Sequence, residues 1–207
     1  MSLSSWPYFD QSEIKAVSNI LLSGKVNYWT GEECRRFEDE FSIYINSKKS
    51  ISLSNGTVAL TCAYESLKLN PGSELITTPR TFIATVSSAV LLGLRPVFAD
   101  VDRDSGCITA DTIEPLINKN TEAISVVHLG GWPADMENIS NLAKSYNLAL
   151  IEDCSQAHGA LIDKKSVGTF GDVATWSFCQ DKILTTGGEG GMVNTSRDDL
   201  WERIFYD

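Results

Sequence analysis

Residues Ser50-Ile-Ser-Leu-Ser-Asn-Gly-Thr-Val-Ala-Leu-Thr-Cys-Ala-Tyr-Glu-Ser-Leu-Lys-Leu69 have the pattern of a strand, a short turn and a helix, and this pattern indicates the class of fold. Residues 50–54 are typical of a short strand, and residues 58–69 of a helix that ends before Pro71-Gly72. The same order of strand, turn and helix is then repeated along the chain.

The repeated pattern predicts an α/β protein with three layers, α/β/α, and a mostly parallel central sheet. Near-continuous apolar strands that alternate with helices are typical of a sheet covered on both faces. Right-handed crossovers place the carboxyl ends of such strands at one edge, where ligands bind. The further predicted strands are residues 74–78, 96–99, 123–128 and 148–152, and the helices are residues 82–92, 111–118 and 136–146.

The first part of the chain predicts two helices rather than strands. Asp10-Gln-Ser-Glu13 has the spacing of a capping box, and Gly24 stops the helix that follows. A second helix follows Thr30-Gly31. We expect residues 1–48 to form a helical segment that packs on a ligand-binding domain of residues 49–207. The apolar faces of the two helices are Ile14, Val17 and Leu21, then Phe37, Phe41 and Tyr44.

The composition of the chain argues against two classes of binding partner, nucleic acids and anionic membranes. The 207 residues carry a formal net charge of −10 and no basic run, which argues against binding to nucleic acid or to an anionic membrane. The five cysteines are odd in number and form no C-x-x-C pair, so they indicate a reducing cytoplasm. No uninterrupted apolar run is long enough to span a bilayer.

Lys182 is the strongest candidate for chemistry. It lies between a β-rich run at residues 172–178 and the glycine-dense loop Gly187-Gly-Glu-Gly-Gly191. Glycines let the backbone approach a ligand closely, and an amine held over that ligand can form a Schiff base. The alternative interpretation is a surface lysine that precedes a flexible turn.

Other polar residues follow the predicted strands at the same edge. Gly56 and Thr57 open a helix whose free N–H groups favour a phosphate, although an ordinary capping turn has the same sequence. Asp153 can pair with a protonated ring nitrogen, or cap a helix, and Gln156 can donate to a ring oxygen. Phe82 can stack on a planar ring or belong to the core, and Ser177 can give a hydroxyl to a phosphate or be an ordinary strand serine. His128 can line the site or be a structural histidine.

Together these groups meet the requirements of pyridoxal 5′-phosphate (PLP): an amine, an acid, an anion cradle, an amide and a flat aromatic ring. The motifs also resemble, in order, the DegT/DnrJ/EryC1/StrS family of sugar aminotransferases, which are fold-type-I PLP enzymes. The matching motifs are Ser54-Asn-Gly-Thr-Val-Ala-Leu60, Thr81-Phe-Ile-Ala-Thr85, Pro96-Val-Phe-Ala-Asp-Val-Asp102, Ile151-Glu-Asp-Cys-Ser-Gln-Ala-His-Gly-Ala160, Ser177-Phe-Cys-Gln-Asp-Lys-Ile183 and Gly187-Gly-Glu-Gly-Gly191.

The resemblance implies a role for each candidate. Lys182 would form the imine with PLP, and Asp153 would pair with the pyridine nitrogen. Gln156 would contact the ring hydroxyl, and Phe82 would stack on the ring. The phosphate would be held by Gly56, Thr57 and Ser177.

The resemblance also implies an activity and an assembly. Family members transfer an amino group, usually from glutamate, to a keto-sugar on a nucleoside diphosphate, and they form homodimers. A related branch that removes a hydroxyl carries histidine in place of Lys182, so lysine favours amino transfer. We expect the small C-terminal domain of the family to be absent from this chain. The alternatives are another fold-type-I PLP enzyme, or a truncated, non-catalytic module that binds the cofactor.

Overall fold

The structure is a computed structural model and describes residues 6–206. Residues 1–5 and 207, which belong to the predicted segments 1–48 and 49–207, lie outside the described residues. Among residues 6–206, no helix is both long and apolar enough to cross a bilayer. The helices are α1 Gln11–Ser23, α2 Glu33–Ile45, α3 Gly56–Ser66, α4 Ala84–Leu91, α5 Ala110–Ile113, α6 Met136–Ser145 and α7 Asp198–Tyr206, with short 3-10 helices at Glu114–Leu116 and Leu129–Gly131.

A mostly parallel sheet forms the centre of the molecule. The strands are β1 Lys49–Leu53, β2 Glu74–Thr77, β3 Arg95–Phe98, β4 Thr121–Val127, β5 Ala149–Asp153, β6 Leu161–Ile162, β7 Lys165–Ser166, β8 Val173–Ser177 and β9 Gly191–Thr195. The described residues form a seven-stranded sheet in the order β1-β9-β8-β5-β4-β2-β3. Only β9 in this sheet runs antiparallel to its neighbours, β1 and β8. The predicted parallel architecture is therefore confirmed.

Helices cover both faces of this sheet, as the alternation of side chains along β4 shows. Ala123 packs in a core that includes residues of α3, α4 and α7. The next residue, Ile124, packs in a second core with residues of α5 and α6. Because successive strand residues point to opposite faces, the sheet is buried between two helical layers. This arrangement confirms the predicted α/β/α fold class.

The two N-terminal helices behave differently from each other. The capping box at Asp10 is present, and Gly24 ends α1 in the left-handed conformation, both as predicted. No residue of α1 is buried, and Val17 and Leu21 on its apolar face are 58% and 66% exposed, so the packing of α1 on residues 49–207 stays a prediction. Helix α2 does pack, because Phe41 and Ile45 are buried in a core with Trp176.

We expect Ile45→Ala to lower the free energy of unfolding by about 2–5 kcal/mol, since it leaves a cavity in a packed core. Ile45 is fully buried, whereas Ile43 on the same helix is 80% exposed. The matched variant Ile43→Ala is therefore expected to change stability by less than about 0.5 kcal/mol. Urea unfolding followed by circular dichroism measures both, and equal losses would contradict the packing of α2 described above.

Candidate functional site

A cavity of about 550 Å³ opens at the edge of the sheet where the parallel strands end. Its wall is formed by residues that follow β1, β2, β5 and β8. The structure brings together in this wall all the site residues predicted from the sequence: Gly56, Thr57, Phe82, Asp153, Gln156, Ser177 and Lys182.

The start of α3 forms one end of the cavity. The side-chain oxygen of Asn55 caps the helix by accepting the Val58 N–H at 2.9 Å. The first N–H groups of a helix lack intrahelical partners, so those of Gly56 and Thr57 remain available to an anion. The hydroxyl of Ser177 lies beside them, because a Cβ atom on Gly56 would stand 3.2 Å from Ser177 Oγ.

Asp153 provides a buried carboxylate at the end of β5, where it is 5% exposed. One carboxylate oxygen accepts the Ser155 N–H at 3.1 Å. The other accepts the hydroxyl of Thr85 at 2.7 Å. Each oxygen therefore has a donor that fixes its position. Thr85 lines the cavity as well, and its contact with Asp153 could not be predicted from the sequence.

Lys182 lies in the turn that follows β8. Its backbone N–H donates to the carbonyl of Cys179 at 2.9 Å, which fixes the turn. Its Nζ atom is 3.5 Å from a carboxylate oxygen of Asp181, a long contact to a side chain that is itself 68% exposed. Such an exposed ion pair contributes little to stability, so the amine of Lys182 can leave Asp181 and bind a ligand in the cavity.

Gln156 and Phe82 complete the wall. The side-chain oxygen of Gln156 accepts the Gly130 N–H at 2.7 Å, which leaves its NH₂ group oriented as a donor. Phe82 is 66% exposed, so the alternative that it belongs to the core is wrong. An exposed aromatic ring in the wall of a cavity is available to stack on a planar ligand.

Neither histidine of the chain lines the cavity. His128 is fully buried, and its Nε2 atom lies 3.1 Å from Glu152, while Nδ1 accepts the Ala134 N–H. The structural interpretation of His128 is therefore supported. Burial lowers the pKa of His158 to about 4, and its ring packs against that of Trp176. His158 is consequently neutral at pH 7.

His128, Glu152 and Cys154 form a buried cluster whose ligand atoms lie within 4.8 Å of one another. Burial raises the pKa of Glu152, but the hydrogen bonds and charge of its neighbours outweigh burial and lower the pKa overall. Burial also keeps the pKa of the Cys154 thiol well above its usual value. His128 and Glu152 therefore form a hydrogen-bonded structural pair, and the Cys154 thiol lies beside them. The other donors to Glu152 are the N–H groups of Gly168, Phe170 and Gly171.

The close packing of α3 against β8 requires a glycine at position 56. Its Cβ atom would approach the Cβ of Ser177 to 2.8 Å, closer than real side chains come. We expect Gly56→Ala to displace α3 from β8 and to lower the free energy of unfolding by about 1–3 kcal/mol. Adding Ser177→Gly removes two of the three atoms that the new Cβ meets and should restore part of that loss. Strictly additive losses in thermal unfolding would contradict this contact.

The sequence of the chain is similar to those of known aminotransferases. The model of the DegT/DnrJ/EryC1/StrS aminotransferase family matches residues 7–206. The GDP-perosamine synthase of Vibrio cholerae is 38% identical over 197 residues, which are 95% of this chain and 53% of that protein. The chain spans about half the length of the curated relatives it matches.

Solved structures agree with this match. An aminotransferase from Psychrobacter cryohalolentis superposes with a TM-score of 0.97 at 52% identity, over 99% of this chain and 52% of that one. NtdA from Bacillus subtilis, solved with bound cofactor PMP, has a TM-score of 0.88 at 29% identity, over 99% of this chain and 48% of that one. The enzymes of this family depend on PLP, which agrees with the cofactor predicted from the sequence. The chain belongs to the DegT/DnrJ/EryC1/StrS aminotransferase family.

Proposed function

We propose that residues 49–207 are the PLP-binding large domain of an aminotransferase that transfers an amino group from glutamate to a nucleoside-diphosphate keto-sugar. One observation carries the proposal. A single cavity is lined by the amine of Lys182, the buried carboxylate of Asp153 and the open N-terminus of α3, in a chain that belongs to an aminotransferase family.

The donors and acceptors in the cavity fit PLP. The open N–H groups of Gly56 and Thr57, with the Ser177 hydroxyl, suit a phosphate dianion. The carboxylate of Asp153, already oriented by two donors, suits a protonated pyridine nitrogen. The free NH₂ group of Gln156 suits the ring oxygen. An exposed ring at Phe82 suits stacking on the ring itself.

Asp153, the start of α3 and Lys182 would each have a different role in amino transfer. When bound, PLP supplies a ring that accepts electrons from the carbon next to the amine. Asp153 would hold a proton on the ring nitrogen, and the start of α3 would anchor the phosphate. Lys182 would hold the cofactor through its Nζ atom until the amine of the substrate takes that place, and the freed Nζ would then carry a proton as general base.

The sugar substrate is inferred from the family and from the identity of residue 182. The relative from Vibrio cholerae is a GDP-perosamine synthase, an enzyme of nucleotide-sugar metabolism by its name. Lysine at position 182 favours amino transfer over loss of a hydroxyl. We place the product in the biosynthesis of a cell-surface polysaccharide such as lipopolysaccharide, or of a secondary-metabolite sugar.

We further propose that the enzyme works as a cytoplasmic homodimer. Helix α1 presents exposed Val17, Leu21 and Leu22, and an apolar face of this kind is typical of a protein interface. All of the cysteines, which fall within residues 6–206, are free, as expected in a reducing compartment. A monomer in sedimentation experiments at micromolar concentration would argue against the dimer.

The function is tested by supplying the chain with PLP and glutamate and then with a panel of keto-sugar nucleotides. We expect 2-oxoglutarate in the first step and an amino-sugar nucleotide, detected by mass spectrometry, in the second. Transfer to keto-acids alone would favour another fold-type-I PLP enzyme. Binding of PLP with no reaction toward glutamate would favour a module that only binds the cofactor.

A further inference from the structure

We propose that Thr85 is a positioning residue that orients the carboxylate of Asp153 toward the ring nitrogen of the cofactor. The inference rests on the proposed function, because it concerns the same cavity. Thr85 lies in α4 and is fully buried, 68 residues before Asp153 in the chain. Its hydroxyl is 2.7 Å from the Oδ2 atom of Asp153.

The direction of these hydrogen bonds follows from the donors available. An ionised carboxylate can only accept, so the single hydroxyl proton of Thr85 is directed to Asp153. The hydroxyl of Thr81 lies 2.9 Å from that of Thr85. Thr81 must then be the donor in this pair, because the Thr85 proton is already used. The two hydroxyls form a chain that ends on the carboxylate.

The backbone of Thr85 is held by a second chain of hydroxyls. Tyr64 donates to the Thr85 carbonyl at 3.0 Å, and its oxygen is 2.9 Å from the hydroxyl of Ser125. Burial raises the pKa of Tyr64, so it keeps the proton that it donates. Ser125 must therefore donate to Tyr64. Thr85 is thus fixed both at its main chain and at its side chain.

This double anchorage matters because the terminal torsion of an aspartate side chain has a broad energy minimum. Without a donor on Oδ2, Asp153 would keep only the Ser155 N–H on Oδ1, and its carboxylate could rotate about that contact. A rotated carboxylate would no longer point its free lone pairs into the cavity. Thr85 would therefore act on the ring nitrogen through its hydrogen bond to Asp153.

The test uses the whole chain and measures dissociation constants for PLP and for its analogue with carbon in place of the ring nitrogen. The preference for PLP over this analogue reports on the contact between Asp153 and the nitrogen. We expect Thr85→Val to reduce the preference about tenfold or more, the usual effect of losing a hydrogen bond to a charged group. Thr85→Ser keeps the hydroxyl and should keep the preference.

Thr195→Val is the matched control, because Thr195 on β9 is 3% exposed and donates to the carbonyl of Asp172, away from the cavity. It should keep the wild-type preference. If Thr85→Val keeps the wild-type preference for PLP, the positioning role is wrong while the proposed function stands. The same conclusion follows if Thr85→Ser loses the preference to the same extent as Thr85→Val. If the wild-type chain binds neither compound, both the proposed function and this inference are wrong.

Discussion

Replacing Lys182 with alanine is expected to slow amino transfer by roughly a thousandfold or more, because the change removes both the nucleophile and the proton carrier. Among the described residues 6–206, its Nζ atom pairs only with Asp181, at 3.5 Å, so the fold should be unaffected. Transfer from glutamate is measured as 2-oxoglutarate released under saturating PLP.

Two further variants test whether the loss of activity is due to the amine of Lys182. Lys119→Ala removes an exposed lysine in the turn before β4 and should leave the rate unchanged. Lys182→Arg keeps the positive charge but cannot form an imine, so it should be as inactive as Lys182→Ala. Activity retained by Lys182→Arg would show that charge alone is required and would contradict the assigned chemistry.

Asp153→Asn is expected to lower the rate by about a hundredfold or more, since a neutral amide cannot keep the ring nitrogen protonated. We expect this large loss because the carboxylate of Asp153 is buried. Asp153 is 5% exposed, whereas the Asp181 side chain in the same wall is 68% exposed. Asp181→Asn is therefore the control and should change the rate only severalfold, because exposed charges interact weakly. Similar losses in both variants, from the same glutamate assay, would contradict the role of Asp153.

The sheet and its functional edge could be predicted because they depend on local patterns. Asn55, Asp153 and Ser177 each lie at or just after the end of a strand that is recognisable from its apolar residues. Parallel strands bring such ends together whatever lies between them. The grouping of distant residues at one cavity therefore follows from the order of strands and helices alone.

The elements that the sequence did not predict depend on distant contacts. Strand β9 follows a glycine-rich loop and contains Asn194, which is an unusual residue for a buried strand. Its side chain is satisfied by Trp176 and by the Gly168 carbonyl, neither of which is close in sequence. The β6–β7 hairpin consists of two strands of two residues each, which are too short to show a period in the sequence.

The contact of Thr85 with Asp153 was missed for the same reason. Nothing in Thr81-Phe-Ile-Ala-Thr85 distinguishes the last threonine from an ordinary residue of α4. Only the pairing of β2 with β4, and of β4 with β5, brings α4 to the carboxylate. The exposure of the apolar face of α1 could likewise not be predicted from its sequence, since an amphipathic helix has the same pattern whatever covers it.

Reduction of the PLP-loaded chain with borohydride, followed by peptide mapping, identifies the lysine that binds the cofactor. We expect a single stable pyridoxyl-phosphate adduct on the Nζ atom of Lys182, lost in Lys182→Arg and retained in Lys119→Ala. An adduct at another lysine, or none at Lys182, would contradict the assignment of this cavity.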